Sequence, residues 1–307
     1  MQTVDVYLSE WVTLRSAGLA PRTVESYRSL IAHHIAPALA GVAAEELQSA
    51  VLQRLLAGLC AAGHSRTAQL VYILVRAAYR DGVRSGVLVS DPTSRVLRPR
   101  HVATDPRYWS PEEIRQFAAA CPRMRWGHAW LLALLCGLRR GELAGLRWSD
   151  VDLPGGMLHI CNQRQRLAGV GVVDREPKSR AGRRDIPLPP VLCEALTAVN
   201  AAQRLRMASG GVLPAYVVSG VDNRSIDPHR LNLALSRDIA LTRLRPINLH
   251  GLRHSMATAA VAAGVDIKIL QSLLGHANYS TTADVYAHVL AGEKVAAISA
   301  LAAVVCT

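Results

Sequence analysis

The chain has 307 residues, which is enough for two domains of ordinary size. Half of its residues are hydrophobic, and this fraction excludes an intrinsically disordered chain. It has 35 Lys and Arg residues against 23 Asp and Glu residues, which gives a formal net charge of +12. Because the excess is large in an otherwise apolar chain, we expect a polyanionic partner, DNA or RNA rather than a membrane surface.

Cysteine usage and the N-terminus indicate the compartment. The six cysteines are scattered, without a CxxC pair or clustered histidines, which argues against a disulfide scaffold or a zinc module. The first residues lack the basic and apolar regions of a secretory signal, and no uncharged apolar run reaches the ~20 residues that a membrane helix needs. The sequence therefore predicts a soluble cytoplasmic protein without a membrane partner.

Hydrophobic periodicity predicts four helices within residues 1–90. They lie at about 4–15, from 23 onwards, at 44–62, and from a capping Ser65 to about residue 80. Basic and hydroxyl residues stand at the helix starts, namely Arg22, Thr23, Ser65, Arg66 and Thr67. Helix N-termini with such side chains suit phosphate contacts, although capping and solvation explain any one of these residues equally well.

A stretch rich in proline and arginine follows at residues 91–107, without helical or strand periodicity. It contains Arg98 and Arg100 on either side of a proline. This composition predicts a basic linker between domains, whose charges would lie along a nucleic-acid backbone. We therefore expect a helical domain at 1–90 and a second domain at 108–307.

The second domain is predicted to open with helices. Ser110-Pro111-Glu112-Glu113 forms a capping box with proline at the first helical position. A very apolar helix at 126–135 then ends at Gly137, which allows a tight turn. This turn aims Arg139 from a buried helix end toward a cleft, with Glu142 as the obvious ion-pair partner.

Alternating hydrophobicity then predicts one small antiparallel sheet. Its strands are 157–160, 170–173 and 184–188, and Lys178 lies at or near a hairpin tip. A lysine at such a tip is either simply solvated or able to reach a bound nucleic acid. Helices return at about 190–208 and 227–243. The predicted fold class is therefore mainly α with a small antiparallel β-sheet.

The stretch from His250 to Tyr286 concentrates residues that suit a phosphodiester. A helix that begins near Leu249 places His250, Arg253 and His254 side by side, and glycines at 264 and 275 break the following pattern into short helices. The chain can then fold back and bring His276 and Tyr286 toward that face. His250 and His254 have the spacing of a metal pair, but Gly251 stands where a zincin helix has Glu. Tyr286 alone would be interpreted as a packing residue.

Taken together, the residues Arg139, Lys178, His250, Arg253, His276 and Tyr286 occur in an order that resembles the tyrosine recombinase (phage integrase) family. The resemblance covers nearly the whole chain and rests on Gly137–Leu143, His250–His254, Leu274-Gly275-His276 and Tyr286-Ala287-His288. It implies an N-terminal four-helix core-binding (SAM-like) domain and an α+β catalytic domain. Cys136 stands where Thr is more usual, and Gly251 where Asp is common.

The resemblance also implies the chemistry of the site. Tyr286 would attack the scissile phosphate, and Lys178 would be the general acid for the departing 5′-oxygen. His250 would act as acid or base near the nucleophile, and His276 would donate a hydrogen bond to the phosphate. Arg139 and Arg253 can each donate bidentately to phosphate oxygens, a task that many nucleases give to metal ions. Glu142 would orient one of the basic groups, and neither a metal nor a cofactor is expected.

The expected partners follow from the same resemblance. They are double-stranded DNA with an inverted-repeat core site, three further copies of the chain on synapsed DNA, and accessory DNA-bending or directionality proteins. The apolar segment at about 293–305 would be a helix that docks into a neighbouring subunit, and the protein would be associated with the nucleoid. Integration or excision of a mobile element is the favoured role. The alternatives are chromosome dimer resolution, a type IB topoisomerase, and a DNA-binding regulator that does not use the chemistry.

Overall fold

The computed structural model describes residues 2–100, 108–167, 169–177, 180–209 and 212–275. The chain divides into two compact units, a first unit at Met1–Asp105 and a second unit at Pro106–Thr307. Lys178, His276, Tyr286 and the expected helix at 293–305 lie outside the described residues. The structure is mainly helical with small antiparallel sheets, as the sequence predicts.

The first unit is built from helices around one apolar core. Its helices are α1 Val4–Arg15, α2 Pro21–Leu30, α3 Ala36–Leu39, α4 Ser49–Ala61 and α5 Ser65–Arg84. The third predicted helix begins at Ser49 rather than near residue 44, because Ala44–Glu46 forms a separate 3-10 turn. The helix start at residue 65 also differs from prediction. His64 occupies the N-cap position and Ser65 is already helical.

A π-helical turn at Ile31–Ile35 joins α2 to α3, so the second helical segment continues to Leu39. Pro37 lies just after this turn. A proline inside an α-helix removes one backbone hydrogen bond and clashes with the carbonyl four residues earlier. The wider turn accommodates the proline, and Ile31, Ile35 and Leu39 still reach the core.

The residues after α5 pack onto the first unit. Pro92–Arg95 is a 3-10 turn, in which the Asp91 carboxylate accepts a hydrogen bond from the backbone N–H of Thr93 at 2.8 Å. The Ser49 hydroxyl at the start of α4 donates to the Pro92 carbonyl at 2.7 Å, and Val96 is buried in the core. The first part of the predicted linker at 91–107 is thus a structured extension of the helical unit.

The second unit surrounds the very apolar helix α7. Its helices are α6 Pro111–Ala120, α7 Gly127–Leu135, α8 Arg140–Gly145, α9 Pro190–Ala208, α10 Pro228–Ala240, α11 Leu249–Ala262 and α12 Ile267–Leu274. Helix α7 is buried on nearly all sides, and Trp130 within it donates from its indole to Asp238 at 2.6 Å. The predicted capping box at Ser110 and Glu113 is present.

The strands form two sheets rather than one. Strands β1 Val151–Asp152, β2 Met157–Ile160 and β5 Arg184–Pro187 pair in the order β1-β2-β5, while β3 Gln163–Leu167 and β4 Gly171–Arg175 form a separate hairpin. All of these pairs are antiparallel. The prediction of a single sheet was wrong because β3, with the sequence QRQRL, is too polar to be recognised as a strand. Strands β4 and β5 do not pair, so the segment between them connects two sheets instead of closing a hairpin.

Among the described helices, none is both long and apolar enough to cross a bilayer.

Candidate functional site

Helix α11 presents Arg253 toward the interior of the second unit. Asn248 caps the helix and accepts a hydrogen bond from the backbone N–H of Gly251 at 2.9 Å. The Arg253 side chain is buried, with the residue only 3% exposed. Its Nη1 donates to the Gly137 carbonyl and its Nη2 to the Leu274 carbonyl, both at 2.5 Å. Both ends of the guanidinium fork are therefore fixed by backbone atoms.

Arg139 reaches the same place from the start of α8, where it occupies the N-cap position. It follows the turn at Gly137, whose φ of +62° glycine adopts more readily than other residues. The Arg139 Nη1 donates to Glu142 Oε1 at 2.7 Å, and its Nη2 donates to the Gly275 carbonyl at 2.7 Å. The side chain stays 37% exposed, so it is held in one direction and is still open to a bound phosphate.

The last carbonyls of α12 bring the two arginines together. Leu274 accepts from Arg253 and Gly275 accepts from Arg139, so neighbouring residues of the chain hold both guanidiniums. Carbonyl groups at a helix C-terminus lack an intrahelical donor and carry a partial negative charge, which favours cations there. Two fixed positive charges therefore converge at the C-terminal end of α12.

Glu142 is the anionic centre of this cluster. Its side chain is 3% exposed and receives hydrogen bonds from Arg139 and Arg184, the latter at 3.0 Å to Oε1 and 2.9 Å to Oε2. Burial raises the pKa of the carboxyl, but the hydrogen bonds and charge of Arg184 and the charge of Arg139 outweigh burial and lower the pKa to about 2. Glu142 is therefore ionised and orients Arg139.

Arg184 was not identified from the sequence. Its guanidinium is 5% exposed and also donates from Nε to the Leu273 carbonyl at 2.6 Å. The available signal was the alternation in β5, because Arg184 shares the inward face with Ile186 and Leu188, which are both buried. A charged residue at an inward strand position indicates a buried ionic partner.

His250 and His254 form a pair on α11. Their Nε2 atoms are 2.9 Å apart and the rings are perpendicular, so one ring donates a hydrogen bond and the other accepts it. Partial burial and the positive charges of Arg253 and Arg139 lower the pKa of His250. Burial, His250 and Arg253 lower the pKa of His254 to about 4. The lowered pKa values favour the neutral form of both rings at pH 7.

We expect this pair to make the protein less stable in mild acid. The folded-state pKa of His254 lies below its ordinary value of 6.5, so the unfolded chain binds more protons and stability falls as pH drops from 7 toward 4. After allowance for solvent screening, the loss attributable to His254 is roughly 1 kcal/mol. Urea unfolding at pH 7 and pH 5 measures it. His254→Gln should reduce the slope with pH, while the exposed control His33→Gln should keep it; an unchanged slope in His254→Gln would contradict the assignment.

The other expected site residues are placed as follows. Lys178, His276 and Tyr286 lie outside the described residues, and His276 directly follows Gly275 in the sequence. In the first unit, Arg22 and Arg66 are exposed in the first turns of α2 and α5. Thr23, Ser65 and Thr67 lie in the same first turns and are half-buried, while Arg98 and Arg100 are exposed after the 3-10 turn. Contacts of these seven residues with DNA stay a prediction.

Comparison with known proteins decides the family. The model of the phage integrase family matches residues 107–293, a segment that contains the arginine cluster. The chain belongs to this family. Its members are tyrosine recombinases, which break and rejoin DNA.

Two relatives and one solved structure give the extent of the similarity. Tyrosine recombinase XerC of Rhodospirillum centenum is 32% identical over 86% of this chain and 77% of its own length. The XerC-like tyrosine recombinase of Caldanaerobacter subterraneus subsp. tengcongensis is 26% identical over 77% of this chain, which spans 66% of that relative. The Tn1549 transposon integrase, solved in complex with transposon right end DNA, superposes with a TM-score of 0.83 over 98% of this chain and 100% of its own, at 20% identity. The last comparison supports the fold.

Proposed function

We propose that this protein is a site-specific tyrosine recombinase that cleaves and rejoins double-stranded DNA through a 3′-phosphotyrosyl intermediate and a Holliday junction. The observation that carries the proposal is the convergence of Arg139 and Arg253 on the neighbouring carbonyls of Leu274 and Gly275. Two guanidiniums at fixed separation suit the non-bridging oxygens of one phosphodiester.

The arginines would supply the electrostatic part of catalysis. Negative charge develops on the phosphate oxygens in the transition state, and cations held in place beforehand stabilise it without reorganisation. Arg253 is buried and fixed at both Nη atoms, and Arg139 is held by Glu142. The residues present thus support phosphoryl transfer by side chains alone.

We propose the covalent steps on the ground of family membership. The Tyr286 phenol oxygen would attack phosphorus and displace the 5′-oxygen, and Lys178 would protonate that leaving group. A phenol has an ordinary pKa of about 10, so Tyr286 must lose a proton, and neutral His250 is a suitable acceptor. His276 would donate a hydrogen bond to the phosphate. Attack by a 5′-hydroxyl from another strand reverses these steps and releases the tyrosine.

The substrate and assembly are proposed on the same ground. The DNA would carry an inverted-repeat core site, bound by the exposed arginines of the first unit and, at the scissile phosphate, by Arg139 and Arg253. Four copies would act together, with the segment at 293–305 docking between subunits, and DNA-bending or directionality proteins would assist. We favour integration or excision of a mobile element as the role.

Chromosome dimer resolution is the second candidate, favoured by the 32% identity with a recombinase named XerC. Covalent trapping separates the candidates. The protein is incubated with nicked fragments of its host genome and denatured in SDS, and the ends of protein-linked DNA are sequenced, with Tyr286→Phe as the control. Adducts at the ends of a mobile element support the favoured role, and adducts at one fixed chromosomal site support resolution.

Three further outcomes would overturn parts of the proposal. Adducts that persist in Tyr286→Phe would remove Tyr286 as the nucleophile. Site-specific binding without any adduct would support the regulator instead. Relaxation of supercoils without strand exchange between two sites would indicate a topoisomerase.

A further inference from the structure

We propose that Arg184 is a positioning residue, which sets the direction of Arg139 and holds the C-terminal end of α12 in place. This inference rests on the proposed function, because Arg139 is one of the groups that would contact the scissile phosphate. Arg184 is buried and its charge is paired with the Glu142 carboxylate, whereas Arg253 donates to the neutral carbonyls of Gly137 and Leu274 and keeps its charge for a phosphate. The effect of Arg184 on the reaction must therefore pass through the groups that it contacts.

The contacts of Arg184 connect three segments of the second unit. Its Nη1 and Nη2 donate to the two carboxylate oxygens of Glu142 at 3.0 and 2.9 Å, a bidentate pair. The same carboxylate binds the backbone N–H and the Nη1 of Arg139 at 2.8 and 2.7 Å. Glu142 is thus held between two guanidiniums, and the position of one depends on the position of the other.

The second contact is with the end of α12. The Arg184 Nε donates to the Leu273 carbonyl at 2.6 Å, while Leu274 and Gly275 accept from Arg253 and Arg139. Three successive carbonyls therefore hold three arginines. Glu142 and the Gly275 carbonyl both hold Arg139 in place. Removal of Arg184 would break the hydrogen bonds that fix Glu142 and the adjoining Leu273 carbonyl.

The third contact is with the turn before β5. The Gly182 carbonyl accepts from Arg184 Nη1 at 3.2 Å. A Cβ atom on Gly275 would lie 2.7 Å from the Ala181 carbonyl, so this turn packs directly on the end of α12. Lys178 lies three residues before Ala181 in the sequence, and His276 follows Gly275. Arg184 thus joins the segments that lead to both of these proposed catalytic residues.

Energetics favour a positioning role over a purely stabilising one. A buried ion pair loses much of its Coulombic attraction to the cost of removing both charges from water, and apolar residues of similar volume often stabilise a core as well. The ionic cluster of Arg139, Glu142 and Arg184 therefore contributes no more to stability than apolar side chains of similar volume would. It does provide rigid hydrogen-bond geometry that apolar side chains cannot give.

The test uses a nicked duplex that carries the DNA site recovered by covalent trapping, in two forms. One form has the normal scissile phosphate, and the other has a methylphosphonate, which lacks one negative charge. Arg184→Gln and Arg184→Lys are compared with Arg183→Gln, a matched control whose side chain is 55% exposed. The rate of adduct formation is measured in single turnover, at a temperature where circular dichroism shows each variant folded.

On the phosphate duplex we expect Arg184→Gln to be roughly a hundredfold slower than the wild type, with Arg184→Lys in between. On the methylphosphonate duplex Arg184→Gln should be only about threefold slower than the wild type, because the transition state there carries less negative charge for Arg139 to stabilise. Arg183→Gln should match the wild type on both. An equal loss on both duplexes, or no loss on either, would overturn the positioning role. Failure of the wild type to form an adduct on either duplex would instead overturn the proposed function.

Discussion

Replacing Arg253 by alanine is expected to lower the rate of covalent adduct formation about a thousandfold, with less than a tenfold change in DNA affinity. The guanidinium is buried and donates to the carbonyls of Gly137 and Leu274. No shorter side chain can span those two carbonyls and also present positive charge to a phosphate. Arg253→Lys should recover only a small part of the rate, because a single ammonium lacks the planar fork.

Single-turnover cleavage at saturating DNA measures this effect separately from binding. Arg237→Ala, which removes an exposed arginine from the last turn of α10, is the matched control and should cleave at the wild-type rate. A rate for Arg253→Ala within tenfold of the wild type would show that this guanidinium does not stabilise the transition state.

Replacing Glu142 by alanine is expected to reduce the free energy of unfolding by about 3–5 kcal/mol, the cost of leaving a buried charge without its partner. Arg184 is 5% exposed and its two Nη atoms would lose both carboxylate oxygens. The control is Glu112→Ala, whose ion pair with Arg115 is exposed and should contribute less than about 1 kcal/mol.

Urea unfolding at pH 7 measures both variants, and pH provides a second test. The pKa of Glu142 is lowered to about 2, so its stabilising contribution is complete above the ordinary value of 4.5 and is lost as pH falls toward 2. The wild type should therefore lose stability over that interval more steeply than Glu142→Ala. A loss below 1 kcal/mol at pH 7 would mean that water replaces the carboxylate around Arg184.

Features that depend on neighbouring residues could be predicted from the sequence. The capping box at Ser110 is present as expected, since it is fixed by residues within one helical turn. The pairing of Arg139 with Glu142 is also local, because the two residues are three apart at a helix start. Local geometry was therefore sufficient to predict the ion pair of Arg139 with Glu142.

Features that depend on distant residues could not be predicted in the same way. Arg184 is 42 residues from Glu142 in the sequence, and nothing in either segment specifies that they meet. Strand β3 was missed because its exposed positions are polar, although Arg164 within it is buried against Asp174. The resemblance supplied the family and the order of the catalytic residues. The roles of Lys178, His276 and Tyr286 stay predictions.

The backbone contacts at the C-terminal end of α12 determine which substitutions are tolerated there. The three arginines contact α12 through the carbonyls of Leu273, Leu274 and Gly275, and no side chain of these residues takes part in those hydrogen bonds. Substitutions at 273 and 274 are therefore limited by packing, whereas Gly275, with a φ of +62° and the Ala181 carbonyl against it, has little room for another residue. Mutational scanning would find that positions 273 and 274 accept other apolar side chains of similar size, whereas position 275 accepts only glycine, although the carbonyls of all three hold an arginine.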